Sequence, residues 1–187
     1  MMLVGLLGLQ GAFLDHIPHL QRCGVEHTIV RDVNALSRID RLIIPGGEST
    51  VMTKFLREFA MSEPLIARIK KGMPVWGVCA GSILLAEKVG DQPGVLAALP
   101  IDVERNAYGR QISSDTQPIE IPILDQKRYP AIFIRAPKIN RLSAGVVVYA
   151  KRDHDPVFVQ KERIMATTFH PELNRDDDLF HRYFISL

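Results

Sequence analysis

Apolar residues along this chain come in short runs, separated by stretches in which they recur at helical intervals. Runs at 3–9, 28–30, 42–44 and 75–78 have the length and bounding breakers of buried strands; between them Val51, Phe55 and Phe59, then Leu65, Ile66 and Ile69, fall at helical spacing. This alternation predicts an α/β fold with a mainly parallel central sheet flanked by helices on both faces. Breakers sit where such a fold turns: Pro45-Gly46-Gly47 after the third run, Gly72 after a lysine-rich turn, and Pro74 before the fourth. Pro18 suits only a first helical turn, so the helix leading to Cys23 is predicted to begin near Asp15 or to be kinked. Beyond Gly90 the texture changes to strand-like runs at 119–123, 132–134, 146–149, 157–159 and 164–168, some expected to pair antiparallel. Asp176-Asp177-Asp178 suits the electropositive start of a last helix.

No repeat or linker interrupts the pattern, so residues 1–187 are expected to form one domain whose two halves meet near Gly90. A chain of 187 residues can bury a core without disulfides or metals. Its 23 basic and 21 acidic residues are scattered, which disfavours a phosphate-tracking surface; nucleic acid is not an expected partner. The run at 3–9 is too short to cross a bilayer and lacks the flanks of a signal peptide, so no membrane association and a cytoplasmic location are expected. Only Cys23 and Cys79 are present, which excludes a disulfide framework.

The most informative segment joins an apolar strand to an apolar helix through Gly77-Val78-Cys79-Ala80-Gly81. Gly-x-Cys-x-Gly at such a joint is the nucleophile-elbow pattern with sulfur in place of oxygen. The glycines let strand and helix close up, the tight turn lifts the thiol, and the helix presents its N-terminus to it. A free cysteine, with a pKa of about 8.5, is only slightly ionised at neutral pH and needs such help. The alternative is a small apolar residue packed at a strand end. Cys23, at an apparent helix end with no elbow, is read as structural.

A thiol nucleophile needs an imidazole to take its proton and return it to the leaving group. Of six histidines, His170 has the suitable company: a strand runs out into Phe169-His170-Pro171-Glu172, where Glu172 can hold the ring and fix its tautomer. A capped turn with a solvated histidine is the competing reading. His16, His19, His27, His154 and His181 are read as surface or core residues without a role, and their spacing offers no metal site.

Pro45-Gly46-Gly47-Glu48-Ser49-Thr50 ends another buried strand, and ligands in open α/β sheets gather at such strand ends. The N–H groups of Gly47 and Ala80 could together form an oxyanion hole; an ordinary glycine turn with Ser49 capping a helix is the alternative. Arg105 and Arg135 are candidates to clamp a carboxylate, or surface ion-pair residues.

With these motifs the chain resembles the class I, triad-type glutamine amidotransferases and, more narrowly, the glutaminase subunits of pyridoxal 5′-phosphate synthases. The resemblance also covers Gly8-Leu9-Gln10-Gly11-Ala12, Glu104-Arg105-Asn106, Gly109-Arg110-Gln111 and Phe133-Ile134-Arg135-Ala136-Pro137. It implies hydrolysis of L-glutamine through Cys79, His170 and Glu172. It also implies an oxyanion hole at Gly47 and Ala80, and glutamine binding by Gly47, Glu48, Ser49, Arg105, Ile134 and Arg135. No cofactor and no metal are implied; the partner is a (β/α)8-barrel synthase subunit in a large hetero-oligomer, which uses the ammonia to make vitamin B6. A γ-glutamyl hydrolase, a DJ-1-type cysteine protein or a non-hydrolysing binding module are the rival readings.

Overall fold

The computed structural model describes residues 2–107 and 114–187. The first half runs β1 (Leu3–Leu7), α1 (Ile17–Arg22), β2 (Glu26–Val30), α2 (Val33–Arg38), β3 (Arg41–Ile44), α3 (Ser49–Glu58), α4 (Ser62–Lys70), β4 (Val75–Val78) and α5 (Ala80–Leu85). The second half runs β5 (Ala86–Val89), β6 (Gln92–Pro93), β7 (Leu99–Glu104), β8 (Ser114–Ile121), β9 (Gln126–Ile134), β10 (Lys138–Leu142), β11 (Val147–Arg152), β12 (Asp155–Lys161), β13 (Ile164–Thr167) and α6 (Leu179–Ser186).

Seven strands form the central sheet in the order β11-β12-β13-β4-β3-β1-β2. From β13 to β2 the pairings are parallel, and β12 pairs antiparallel with both β11 and β13. β3 and β4 are buried at every position, as strands covered on both faces must be. One face packs on Leu36, Leu56, Leu65 and Leu84 from α2 to α5, the other on Leu20, Phe180 and Phe184 from α1 and α6.

Much of the second half lies outside this sheet. β10-β7-β5-β6 make a smaller one, and β8 and β9 form a hairpin whose Tyr129 and Phe133 pack against α6's side of the core. The strands at 86–104 and 138–142 were not expected from the sequence. Leu99, Ile101 and Val103 do alternate inward along β7, but Pro100 weakens the strand signal.

Two local details of α3 also differ from expectation. In α3 the core face is Met52 and Leu56; Phe59 is exposed and its ring stacks on Phe55, because 51/55/59 and 52/56 are adjacent stripes with the same period. Ser49 opens α3 from inside, and the preceding Glu48 makes no side-chain cap. Pro18 sits in the first turn of α1, and a 3-10 turn at Phe13–His16 precedes it, which leaves no hydrogen bond for proline to break. Among the described residues, no helix is long and apolar enough to cross a membrane.

Candidate active site

Cys79 stands between β4 and α5 with φ 48° and ψ −100°, a conformation that costs a non-glycine residue roughly 1–3 kcal/mol. The surrounding packing enforces it. A Cβ on Gly77 would lie 2.6 Å from the Gly81 carbonyl oxygen, and one on Gly81 would overlap the carbonyl oxygen of Ile44. Strand and helix therefore touch backbone to backbone, and the turn between them can only project its side chain outward. The Cys79 N–H donates to the Thr167 carbonyl at 2.8 Å, which ties the elbow to the neighbouring strand.

That neighbour is β13, parallel to β4 with Thr167 opposite Val78, so the residues following both strands emerge at the same sheet edge. His170 is held there by its N–H, which donates to the Ile132 carbonyl at 2.9 Å. Pro171 then starts a 3-10 turn, Pro171–Leu173, that folds Glu172 back under the ring. The His170 Nδ1–H donates to Glu172 Oε1 at 2.7 Å, and both residues are buried. His170 Nε2 is buried with no hydrogen-bonding partner in place. A Cβ on Gly46 would meet both the ring, at 2.5 Å from Cε1, and Cys79 Cβ, at 3.6 Å. Imidazole and thiol thus share the space that glycine leaves open.

Burial works against charge on His170, but its interactions with Cys79 and Glu172 outweigh this and raise the ring to about 10. Burial would likewise raise the Glu172 carboxyl; the hydrogen bond from His170 and the nearby His16 ring hold it below its ordinary value. Both shifts describe one carboxylate–imidazolium pair. The Cys79 Sγ also lies 3.8 Å from the Ile134 carbonyl oxygen.

In front of the pair opens a cavity of about 400 Å³. The turn after β3 brings Gly47, Glu48 and Ser49 to its wall, the elbow brings Cys79 and Ala80, and Arg105, Ile134 and Arg135 come from the second half. Every site residue expected from the sequence lines it except Glu172, which lies behind His170. Gly109-Arg110-Gln111 lies outside the described residues. Cys23 is away from the cavity at the end of α1, its thiol raised by burial.

Gln10 is a wall residue that residue-level reasoning missed. Its Oε1 accepts the Glu48 N–H at 2.7 Å, which pins the peptide following Gly47. A polar residue in a glycine-flanked turn at the carboxyl end of β1 was the available signal. His16, His19 and His181, read as roleless, are all buried and collect behind Glu172. Among the described residues, no group of three or more His, Cys, Asp or Glu is placed to hold a metal ion.

Comparison with known proteins agrees with this fold. The chain is 46% identical over 187 residues to the pyridoxal 5′-phosphate synthase subunit PdxT of Thermotoga petrophila, covering 100% of this chain and 99% of the relative. The PdxT of Carboxydothermus hydrogenoformans is 45% identical over 186 residues, covering 98% and 96%. A crystal structure of a glutamine amidotransferase superposes with a TM-score of 0.91 at 40% identity, covering 98% of this chain and 97% of that one. PurLQS from Thermotoga maritima shares the fold at a TM-score of 0.73 and 14% identity, covering 99% and 98%. With the model of the SNO glutamine amidotransferase family matching residues 6–187, the chain belongs to that family.

Proposed function

We propose that this chain, acting as one domain over residues 1–187, is the glutaminase of a pyridoxal 5′-phosphate synthase. It hydrolyses L-glutamine to L-glutamate and ammonia with Cys79, His170 and Glu172, and delivers the ammonia to a (β/α)8-barrel synthase subunit within a hetero-oligomer. The single observation that carries this reading is the His170–Glu172 contact of 2.7 Å, with Nε2 left unpartnered and the ring bordering, together with Cys79, the space beside Gly46.

In this mechanism the proton shared by Cys79 and His170 Nε2 rests on the imidazole, and the Cys79 sulfur attacks the side-chain carbonyl carbon of glutamine as the thiolate of that ion pair. The oxygen takes up negative charge and is met by the N–H groups of Gly47 and Ala80; each such donor is worth about 2.7–4 kcal/mol in the transition state. The tetrahedral adduct collapses as His170 returns the proton to the departing nitrogen, releasing ammonia and leaving a glutamyl thioester. Water, deprotonated by the same imidazole, then attacks the thioester, and expulsion of sulfur yields glutamate. Glu172 accepts from Nδ1–H throughout, which fixes the tautomer and stabilises the imidazolium. Arg105 and Arg135 grip the α-carboxylate, while Glu48, Ser49 and Ile134 complete the glutamine pocket.

The deciding experiment measures ammonia release from glutamine with and without the synthase subunit, for wild type and Cys79→Ala. The wild type with synthase should release ammonia and Cys79→Ala should not; equal release from both would remove the nucleophile.

A further inference from the structure

His16 in the 3-10 turn before α1, His19 in α1 and His181 in α6 lie in a cluster behind the candidate site, each at most 1% exposed. The His19 and His181 rings are stacked, with centroids 4.3 Å apart and planes 2° from parallel. His16 Nδ1 and His181 Nε2 share a hydrogen bond of 2.9 Å. Burial pushes His16 down to about 4, although Glu172 pulls the other way, and drives His181 well below its ordinary value. Both are neutral rings at neutral pH.

His19 differs from these two in having both ring nitrogens engaged. Its Nε2 lies 3.0 Å from the backbone oxygen of Glu172; a carbonyl can only accept, so the ring donates to it. Its Nδ1 lies 3.0 Å from Asp178 Oδ1 and 3.1 Å from Arg22 Nη2. Asp178 is itself held by Arg22, whose Nη2 donates to Oδ1 at 2.7 Å and to the Arg175 carbonyl at 2.7 Å. A continuous set of contacts therefore runs from Arg22 through Asp178 and His19 to the main chain of Glu172, whose carboxylate holds His170. Glu172 Oε2 is buried without a hydrogen-bonding partner, so no second side-chain bond fixes the carboxylate, and its placement depends on how the backbone beneath it is held.

We propose that His19, aimed by Asp178 and Arg22, is a positioning residue for the His170–Glu172 pair: by gripping the Glu172 carbonyl it sets the place at which Oε1 meets the catalytic ring. The proposal rests on the glutaminase reading of that pair. The charged or titratable groups facing His19 are Arg22 of its own helix, Asp178 and His181 of the last helix and its entry, Glu172 of the 3-10 turn, and His16.

The test uses His19→Gln and His19→Asn in the full chain. Glutamine reaches the position of Nε2 and can keep the donor to Glu172; asparagine is shorter and cannot. One readout is the NMR titration of the His170 ring; the other is the pH dependence of Cys79 alkylation by iodoacetamide, followed on the Cys79 peptide. Neither needs glutamine turnover. His19→Asn should lower the His170 midpoint and move the Cys79 profile, His19→Gln should largely restore both, and His154→Asn, at an exposed position, should change nothing. With synthase and glutamine, His19→Asn should lose about ten- to a hundredfold in kcat with KM little changed. An unchanged His170 midpoint in folded His19→Asn, or a Gln variant no better than Asn, overturns the proposal. Should His19→Asn fail to fold, Asp178→Asn decides: a lowered His170 midpoint supports the proposal and an unchanged one overturns it. A shift in the midpoint without any ammonia release would instead leave the positioning role and sink the glutaminase reading.

Discussion

Glu172 is committed to His170 through one oxygen only, and the pair has no solvent to fall back on. Glu172→Gln keeps the shape but removes the charge that favours the imidazolium. It should cost roughly a thousandfold or more in kcat for ammonia release, with the His170 ring titrating at lower pH by NMR. Arg105→Ala and Arg135→Ala should act on binding instead, each raising KM for glutamine about ten- to a hundredfold, the worth of a hydrogen bond to a charged group. The readable residues were those whose partners are local in sequence: Gly-x-Cys-x-Gly carries its own geometry, and Glu172 is two positions from His170. His19 and Asp178 are 159 positions apart, and neither has a neighbour that signals the other, so their pairing exists only in the folded chain.

At the level of elements, the elbow is defined by what cannot fit there. Gly81→Ala would press a methyl group into the Ile44 carbonyl, and the helix would have to move away from the sheet. A loss of about 1–3 kcal/mol in denaturant unfolding is expected, together with loss of Cys79 alkylation selectivity, since the displaced turn no longer aims the sulfur. The parallel strands were legible because a short, continuous apolar run bounded by breakers suits little besides a strand buried on both faces. The faces of α3 were not, because two adjacent stripes repeat with the same period and only packing chooses between them. The smaller sheet was missed because its strands are short, partly exposed and interrupted by proline.

For the molecule as a whole, the buried histidines make stability depend on pH in a definite direction. His16 has a folded value near 4 against 6.5 when unfolded, so the unfolded chain binds the extra proton first. Its contribution is fully present above about pH 6.5 and is lost as pH falls toward 4, on the order of 3 kcal/mol for a shift of this size. His181 and the depressed Glu172 act in the same sense, Glu172 at lower pH. His170 has the opposite sign: its folded value near 10 means stabilisation that is present below about pH 6.5 and lost as pH rises toward 10. Melting temperatures measured between pH 7 and 4 should fall steadily, and the His16 ring should stay neutral above about pH 5 by NMR; a charged His16 at pH 6 would refute this. A different consequence follows from the place of β13 between β4 and β12. The strand that leads to His170 is inserted into the middle of the sheet and leaves the ribosome several seconds after Cys79 at ordinary synthesis speeds of about 5–20 residues per second. A nascent chain that has released β4 but not β13 therefore holds Cys79 without the His170 ring beside it, and under the proposed mechanism it should not yet break down glutamine.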